Sequence, residues 1–229
     1  MRRWVRVLAM LIAKELRLEA RGKELSVLLL CTSIITSVLV GAGVSGAVLQ
    51  PDVVPRLFPM LLWIVFLLST TSASVRGNEH ENEGRGYEGL LLCGVTGAQM
   101  YVAKVFVWAI IFALNWVLLC SLLGIALDQN LISVAGGLLV VGLLASLVLA
   151  SLTVLTSAIA ASAALRGAIL PLVTLPLLFP LFFAGIELTT AVMIVGSVDL
   201  SSMWVGIMVV SFTLFGLVGI NTYHEVISE

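Results

Sequence analysis

Charge is what this sequence has least of: Asp, Glu, Lys and Arg together make up 11% of its 229 residues. A soluble globular chain carries about 25%, so an aqueous surface cannot be built from this composition. Histidine is nearly missing as well, with only His80 in a polar stretch and His224 near the end. The cysteines Cys31, Cys93 and Cys120 are odd in number and widely spaced, which argues for small buried side chains rather than a disulfide framework or a metal site. There is no G-x-x-x-x-G-K-[ST] motif. The pairs Gly84/Gly86 and Gly136/Gly137 lack the lysine that follows in a phosphate-binding loop, so any ATP chemistry has to come from a partner. A secretory leader is not expected either, because Lys14, Glu15, Arg17, Glu19 and Arg21 interrupt the first apolar stretch. With 12 basic against 13 acidic residues, nothing points to a nucleic-acid partner.

What is present is apolar: 60% of the residues are hydrophobic and the mean hydropathy is +1.16. Crossing about 30 Å of hydrocarbon takes about 20 apolar residues in a helix, since an unpaired backbone group there is costly. Six runs qualify, at about 25–49, 57–75, 102–127, 131–165, 168–190 and 203–223. The expected fold class is an all-α integral membrane protein, a single transmembrane domain over 1–229 with no separate soluble domain. Residues 191–198 are still apolar and read as an extension of the fifth span, an external loop or, the favoured reading, a short interfacial element.

Basic residues orient the spans. With the N-terminus in the cytoplasm, eleven of the 12 Lys and Arg lie inside or beside inside loops and only Arg56 lies outside, as the positive-inside rule requires of an even number of spans. The C-terminus is then cytoplasmic too. Residues 1–24 place Arg3, Arg6, Lys14, Arg17 and Arg21 on one side of a helix and Trp4, Val7, Leu8, Leu11, Ile12 and Leu18 on the other, with Glu15 and Glu19 among them. Such a helix can lie on the lipid surface, facing anionic head groups or a partner.

The one polar segment of substance follows the second span, at 76–101. Glu79, Glu81 and Glu83 precede Tyr87, Glu88, Gly89 and Leu90, and Leu91 and Leu92 follow. A short helix over about 83–92 would need cover for its leucines and water for its glutamates. That combination suits a docking element for a cytosolic protein. Glu187, near the outer end of the fifth span, is an intramembrane or interfacial carboxylate. Inside hydrocarbon such a group is by default a functional or pairing candidate, but close to the head groups its cost falls, and an interfacial loop carboxylate is the favoured reading. Pro171, Pro176 and Pro180 are spaced to bend or break the fifth span, either as a moving hinge or as a fixed kink. Gly142, Ser146 and Ala150 give the fourth span a small-residue face for close helix packing, within one subunit or between subunits. The five tryptophans are scattered, and only Trp4 and Trp204 read as interface anchors.

The polar segment resembles the cytoplasmic loop of type-2 ABC exporter (ABC-2) membrane subunits, and specifically that of the haem exporter protein B (CcmB) family of cytochrome c maturation. The matching residues are Glu79, Glu81 and Glu83, then Glu88, Gly89, Leu90 and Leu91, then Tyr101, Ala103 and Lys104. A second patch, Arg166, Gly167, Ala168, Leu170, Pro171, Leu172, Pro176, Leu177 and Pro180, is also similar. The resemblance extends over essentially the full length. It implies a non-catalytic permease subunit in a prokaryotic inner membrane, driven by a separate CcmA-like cytosolic ATPase that docks on the 79–92 loop. It also implies haem-handling membrane proteins as partners, possible self-association, and haem as a handled or transported ligand with no cofactor bound directly. His80 and His224 are both on the cytoplasmic side in this reading, which argues against this chain as a haem ligand carrier. Two alternatives stand beside it: an ABC-2 permease for another substrate, or a structural subunit that transports nothing.

Overall fold

The computed structural model describes residues 2–22, 24–46, 53–83, 95–162 and 166–228. Among them are seven α-helices: α1 (Arg2–Gly22), α2 (Glu24–Gly46), α3 (Val54–Glu83), α4 (Gly97–Ala126), α5 (Ala135–Ser162), α6 (Arg166–Val195) and α7 (Met203–Ser228). A 3₁₀ turn at Ile132–Val134 leads into α5. The helices α2 to α7 supply the six membrane-spanning segments: Ser26–Val44, Val54–Ser74, Gly97–Ala126, Ile132–Ile159, Pro176–Val195 and Met203–Thr222. The chain is thus an all-α, six-span membrane protein, and no strand occurs among the described residues.

Three helix ends differ from the reading of the sequence. Helix α3 does not stop where polarity begins at Arg76 but continues to Glu83. A change from apolar to polar residues marks the membrane surface and does not by itself terminate a helix. Helix α4 begins at Gly97, about one and a half turns before the expected start, because Thr96 caps it. Residues 191–195 extend α6 instead of forming a separate interfacial element. Nothing there breaks a helix until Gly196, whose φ of +84° only glycine adopts freely and whose N–H donates back to the Val192 carbonyl at 2.8 Å. Asp199 then orders the short link: its Oδ1 accepts from the Ser201 hydroxyl at 2.6 Å and the Ser201 N–H at 3.0 Å. Those two bonds, the hydroxyl first, hold the Asp199 carboxyl below its ordinary pKa.

Helix α6 also runs unbroken through Pro171, Pro176 and Pro180. Of the two outcomes expected of these residues, a bend or a break, the break does not occur. Within a span the backbone groups that a proline leaves open can be satisfied by neighbouring helices and local adjustment, and α6 packs on α3, α5 and α7.

Helix α5 is the centre of the bundle. In the apolar core of its span 72% of the residues are buried, against 22% in those of α2 and α7. It packs on α4, α6 and α7. Ala145, Ser146, Ala150 and Ser151 on its surface are fully buried, so the small-residue face serves packing within this chain. Between helices in lipid there is little hydrophobic drive, and close van der Waals contact replaces it.

Two glycines receive the largest side chains. Gly142 of α5 lies under the Trp116 ring, and Gly185 of α6 lies under the Trp63 ring, each so close that a Cβ would overlap the indole. Two of the five tryptophans, far apart in sequence, come together here. Trp63 and Trp116 meet edge to face with centroids 5.4 Å apart, and Phe66 completes the cluster at 5.9 Å and 4.9 Å. Each indole N–H is paired, Trp63 with Thr189 Oγ1 and Trp116 with the Leu138 carbonyl, both at 2.9 Å. Apolar rings can therefore sit in the bundle without leaving a donor unsatisfied.

Adding one methyl group at either ring seat overpacks a rigid site. Gly142→Ala and Gly185→Ala are each expected to cost about 1–3 kcal/mol, read as lowered thermal stability of the detergent-purified protein. Gly136→Ala and Gly206→Ala, where a Cβ meets nothing within 4 Å, serve as controls and should leave stability unchanged.

Candidate coupling site

The polar segment leaves the membrane on α3 and returns on α4, so both flanks of the candidate site are fixed by helices. Glu79, Glu81 and Glu83 occupy the last turns of α3. Tyr87, Glu88, Gly89 and Leu90, with the short helix expected over 83–92, fall in residues 84–94, outside the described residues apart from Glu83 itself.

The return is built by a capping box. Thr96 Oγ1 accepts from the Gln99 N–H at 3.4 Å, and Gln99 Oε1 accepts from the Thr96 N–H at 3.0 Å. Each side chain satisfies a backbone donor that the first turn of a helix leaves open. The signal, Thr-x-x-Gln before an apolar run, was present in the sequence. Gln99, Met100, Tyr101, Ala103 and Lys104 are then buried at once. The Tyr101 hydroxyl sits 3.1 Å from both the Ser151 carbonyl of α5 and the Phe215 carbonyl of α7, its ring lying on Gly219. In its second turn α4 is already tied to two other spans.

Helix α1 adds a third attachment at this end. It packs mainly along α4 and more lightly on α2, burying Leu11 while Arg6, Lys14 and Arg17 stay exposed. Its elbow with α2 is held by Glu19, whose Oε1 accepts from the Ser26 N–H at 2.9 Å and the Ser26 hydroxyl at 2.7 Å. A carboxylate on the first turn of a helix meets both free N–H groups and the positive end of the helix dipole.

Deeper in the bundle lies a polar connection that sequence reasoning missed. Asn115 of α4 is 4% exposed. Its Oδ1 accepts from the Ser33 hydroxyl of α2 at 2.7 Å, and its Nδ2 donates to Ser69 Oγ of α3 at 3.0 Å. Ser69 in turn donates to the Phe66 carbonyl at 3.0 Å. A lone amide in an apolar run was the available signal, since such a group in a span is expected to pair across helices.

The other site residues lie apart from this end. Pro176 and Pro180 are exposed on α6, and Pro171 is within the same helix. Glu187 is exposed on α6 inside the membrane-spanning stretch Pro176–Val195. Among the described residues, no group of three or more His, Cys, Asp or Glu is placed to hold a metal ion.

With this arrangement in view, the comparison with known families is direct: the sequence profile of the CcmB protein family matches residues 6–220. The chain belongs to the CcmB family. The match runs from α1 into α7 and takes in the whole polar segment, the capped start of α4 and the Asn115 connection. No curated protein matches the chain. As a CcmB-family membrane protein it is a permease-type chain.

Cross-helix hydrogen bonds in membranes average about 0.6 kcal/mol and reach about 1.7. Asn115→Leu removes two of them and strands Ser33, so a loss of about 1–2 kcal/mol is expected. Tyr101→Phe should cost about half that. Reversible unfolding in mixed micelles measures both, and equal stability of N115L and wild type would refute the assignment.

Proposed function

We propose that this chain is the non-catalytic transmembrane subunit of an ABC-type assembly in a prokaryotic inner membrane. A separate cytosolic ATPase drives it, and the assembly supports haem delivery, through release of a haem-loaded chaperone, in cytochrome c biogenesis. Membership of the CcmB family over residues 6–220 is the observation that carries the reading.

The mechanism follows from the flanks of the polar segment. Residues 79–92 form the coupling element, with Glu79, Glu81, Glu83 and Glu88 offering charge to a basic partner surface and Tyr87, Gly89 and Leu90 a contact patch. ATPase closure displaces this element. Displacement passes to α4, whose start is capped at Thr96 and anchored by Tyr101 to α5 and α7. Farther along, Asn115 passes it to α2 and α3. Interfaces packed this tightly shift between discrete arrangements rather than deform continuously. Both termini and the coupling element face the cytoplasm, as eleven of the 12 basic residues favour, and α1 lies on the inner leaflet with its basic side toward anionic head groups.

Co-purification with the ATPase tests the docking claim. Charge reversal at a rim contact weakens association, so Glu83→Lys with Glu88→Lys should lower ATPase recovery by about tenfold or more and make haem-loaded chaperone accumulate. Undiminished recovery and unchanged ATP hydrolysis would refute docking at this segment. Accumulation of some other substrate would retain the permease and remove haem as its cargo.

Orientation has its own assay in a cysteine-free background. Arg85→Cys and Arg166→Cys should react with an impermeant maleimide only from the inside, and Asp52→Cys and Asp128→Cys only from the outside. The reverse pattern overturns the topology.

A further inference from the structure

Three charged residues lie in the six described membrane-spanning stretches: Arg56, Lys104 and Glu187. Lys104 is buried, at 7% exposure. Arg56 is exposed but sits three residues into α3, close to the membrane surface. Glu187 is different, because it is both deep and exposed.

Its depth can be read in two ways. Eight residues separate it from Val195, the end of α6, which is about 12 Å along a helix axis. The middle of the hydrocarbon lies about 15 Å from its edge. Glu187 also stands between Gly185, which seats the Trp63 ring, and Thr189, which accepts the Trp63 N–H. It is therefore level with the aromatic cluster at the heart of the bundle. Gly185 and Thr189 are both buried, and a residue midway between them on a helix must point the opposite way.

The outward stripe is otherwise apolar and aromatic. Phe183, at 56% exposure, and Ala191 lie one turn to either side of Glu187, with Ile194 at 79% beyond. Phe179 stacks on Phe183 with centroids 6.5 Å apart. Lipid alone suits the phenylalanines and not the carboxylate: ionisable groups at this depth face protein or a water-filled path and are paired.

We propose that this face of α6, centred on Glu187, is the lateral docking surface for a transmembrane helix of a different membrane protein. That helix brings a Lys, Arg or His side chain to the same depth. The inference rests on the subunit reading above and specifies how such a subunit holds a membrane partner. A second copy does not fit the charge. Packing this face on its own twofold mate would set carboxylate against carboxylate. Among the described residues this chain exposes no cation at that level, since Arg56 is seven residues, about 10 Å, nearer the membrane surface than Trp63. The exposed hydroxyls of Ser72 and Thr213 already donate to their own helices, at Leu68 and Val209.

A photo-crosslinking amino acid at Phe183, installed in the full-length chain in its native membrane, reads out what covers the face. The expected adduct joins it to a transmembrane segment of another polypeptide with a basic residue within one turn of the crosslinked position. Glu187→Lys should lower adduct yield by about tenfold, and reversing the partner's basic residue to Glu should restore it. Glu187→Gln, which keeps the shape, checks that the chain still folds and inserts. Adducts only with lipid or with a second copy of the chain, or a yield unmoved by E187K, overturn the proposal. ATPase recovery is scored in the same membranes. Its loss with the adduct intact counts against the docking claim at 79–92, and the adduct's loss with ATPase retained counts against this one.

Discussion

Inside a bilayer a polar group has no water to fall back on, and that single constraint organises this bundle. Trp63 pairs with Thr189, Trp116 with Leu138, Asn115 with Ser33 and Ser69, and Tyr101 with Ser151 and Phe215. Hydroxyls without a cross-helix partner turn back on their own helix, as Thr36 does to the Thr32 carbonyl and Ser146 to that of Gly142. Among the described residues, Ser37 Oγ is the one buried side-chain atom with no partner. Each bond is weak in energy but strict in geometry. Leucine against leucine would tolerate many rotations of one helix about another. An amide that must reach two particular hydroxyls tolerates one.

The same bonds divide the labour between two helices. Helix α5 is the packing centre, with its small buried residues and the Gly142 seat. Helix α4 is the polar centre: three cross-helix connections start from it, at Tyr101, Asn115 and Trp116. These are spread along its length, so α4 cannot slide or turn without dragging α2, α3, α5 and α7. A helix placed directly after the proposed coupling segment and fastened in this way is suited to carry a displacement across the membrane. A pathway of this kind needs two discrete packings to move between, and flat ring-on-glycine contacts offer sharp alternatives rather than a gradual slope.

The spans were legible in the sequence because bilayer thickness dictates the length of an apolar run, whatever the fold. Helix ends were less legible. Arg76 marks where α3 leaves the apolar layer, yet the helix persists to Glu83, and nothing in hydropathy distinguishes those two events. At Thr96 and Gln99 the capping signal was there to be read. Asn115 was equally visible as a lone amide. The seats of Trp63 and Trp116 were not, because each depends on a glycine in another helix, Gly185 and Gly142, and only the assembled bundle brings the pair together. The resemblance to CcmB proteins supplied the function class, which no spacing of residues here would have yielded.

The rule that satisfies the interior also passes judgement on the outer surface. Most of what this bundle exposes is hydrocarbon-compatible: Leu39 and Val38 on α2, Leu114 on α4, Leu217 and Val210 on α7. Their exposure needs no partner but lipid. Glu187 cannot be explained in the same terms, nor could it have been turned inward, because the inward positions beside it are taken by the glycine and the threonine that receive Trp63. A carboxylate at that position thus has its direction set by core packing and its unmet need set by depth. It follows that the single chain, whose interior leaves only Ser37 Oγ unpartnered among the described residues, is an incomplete unit on the outer side of α6.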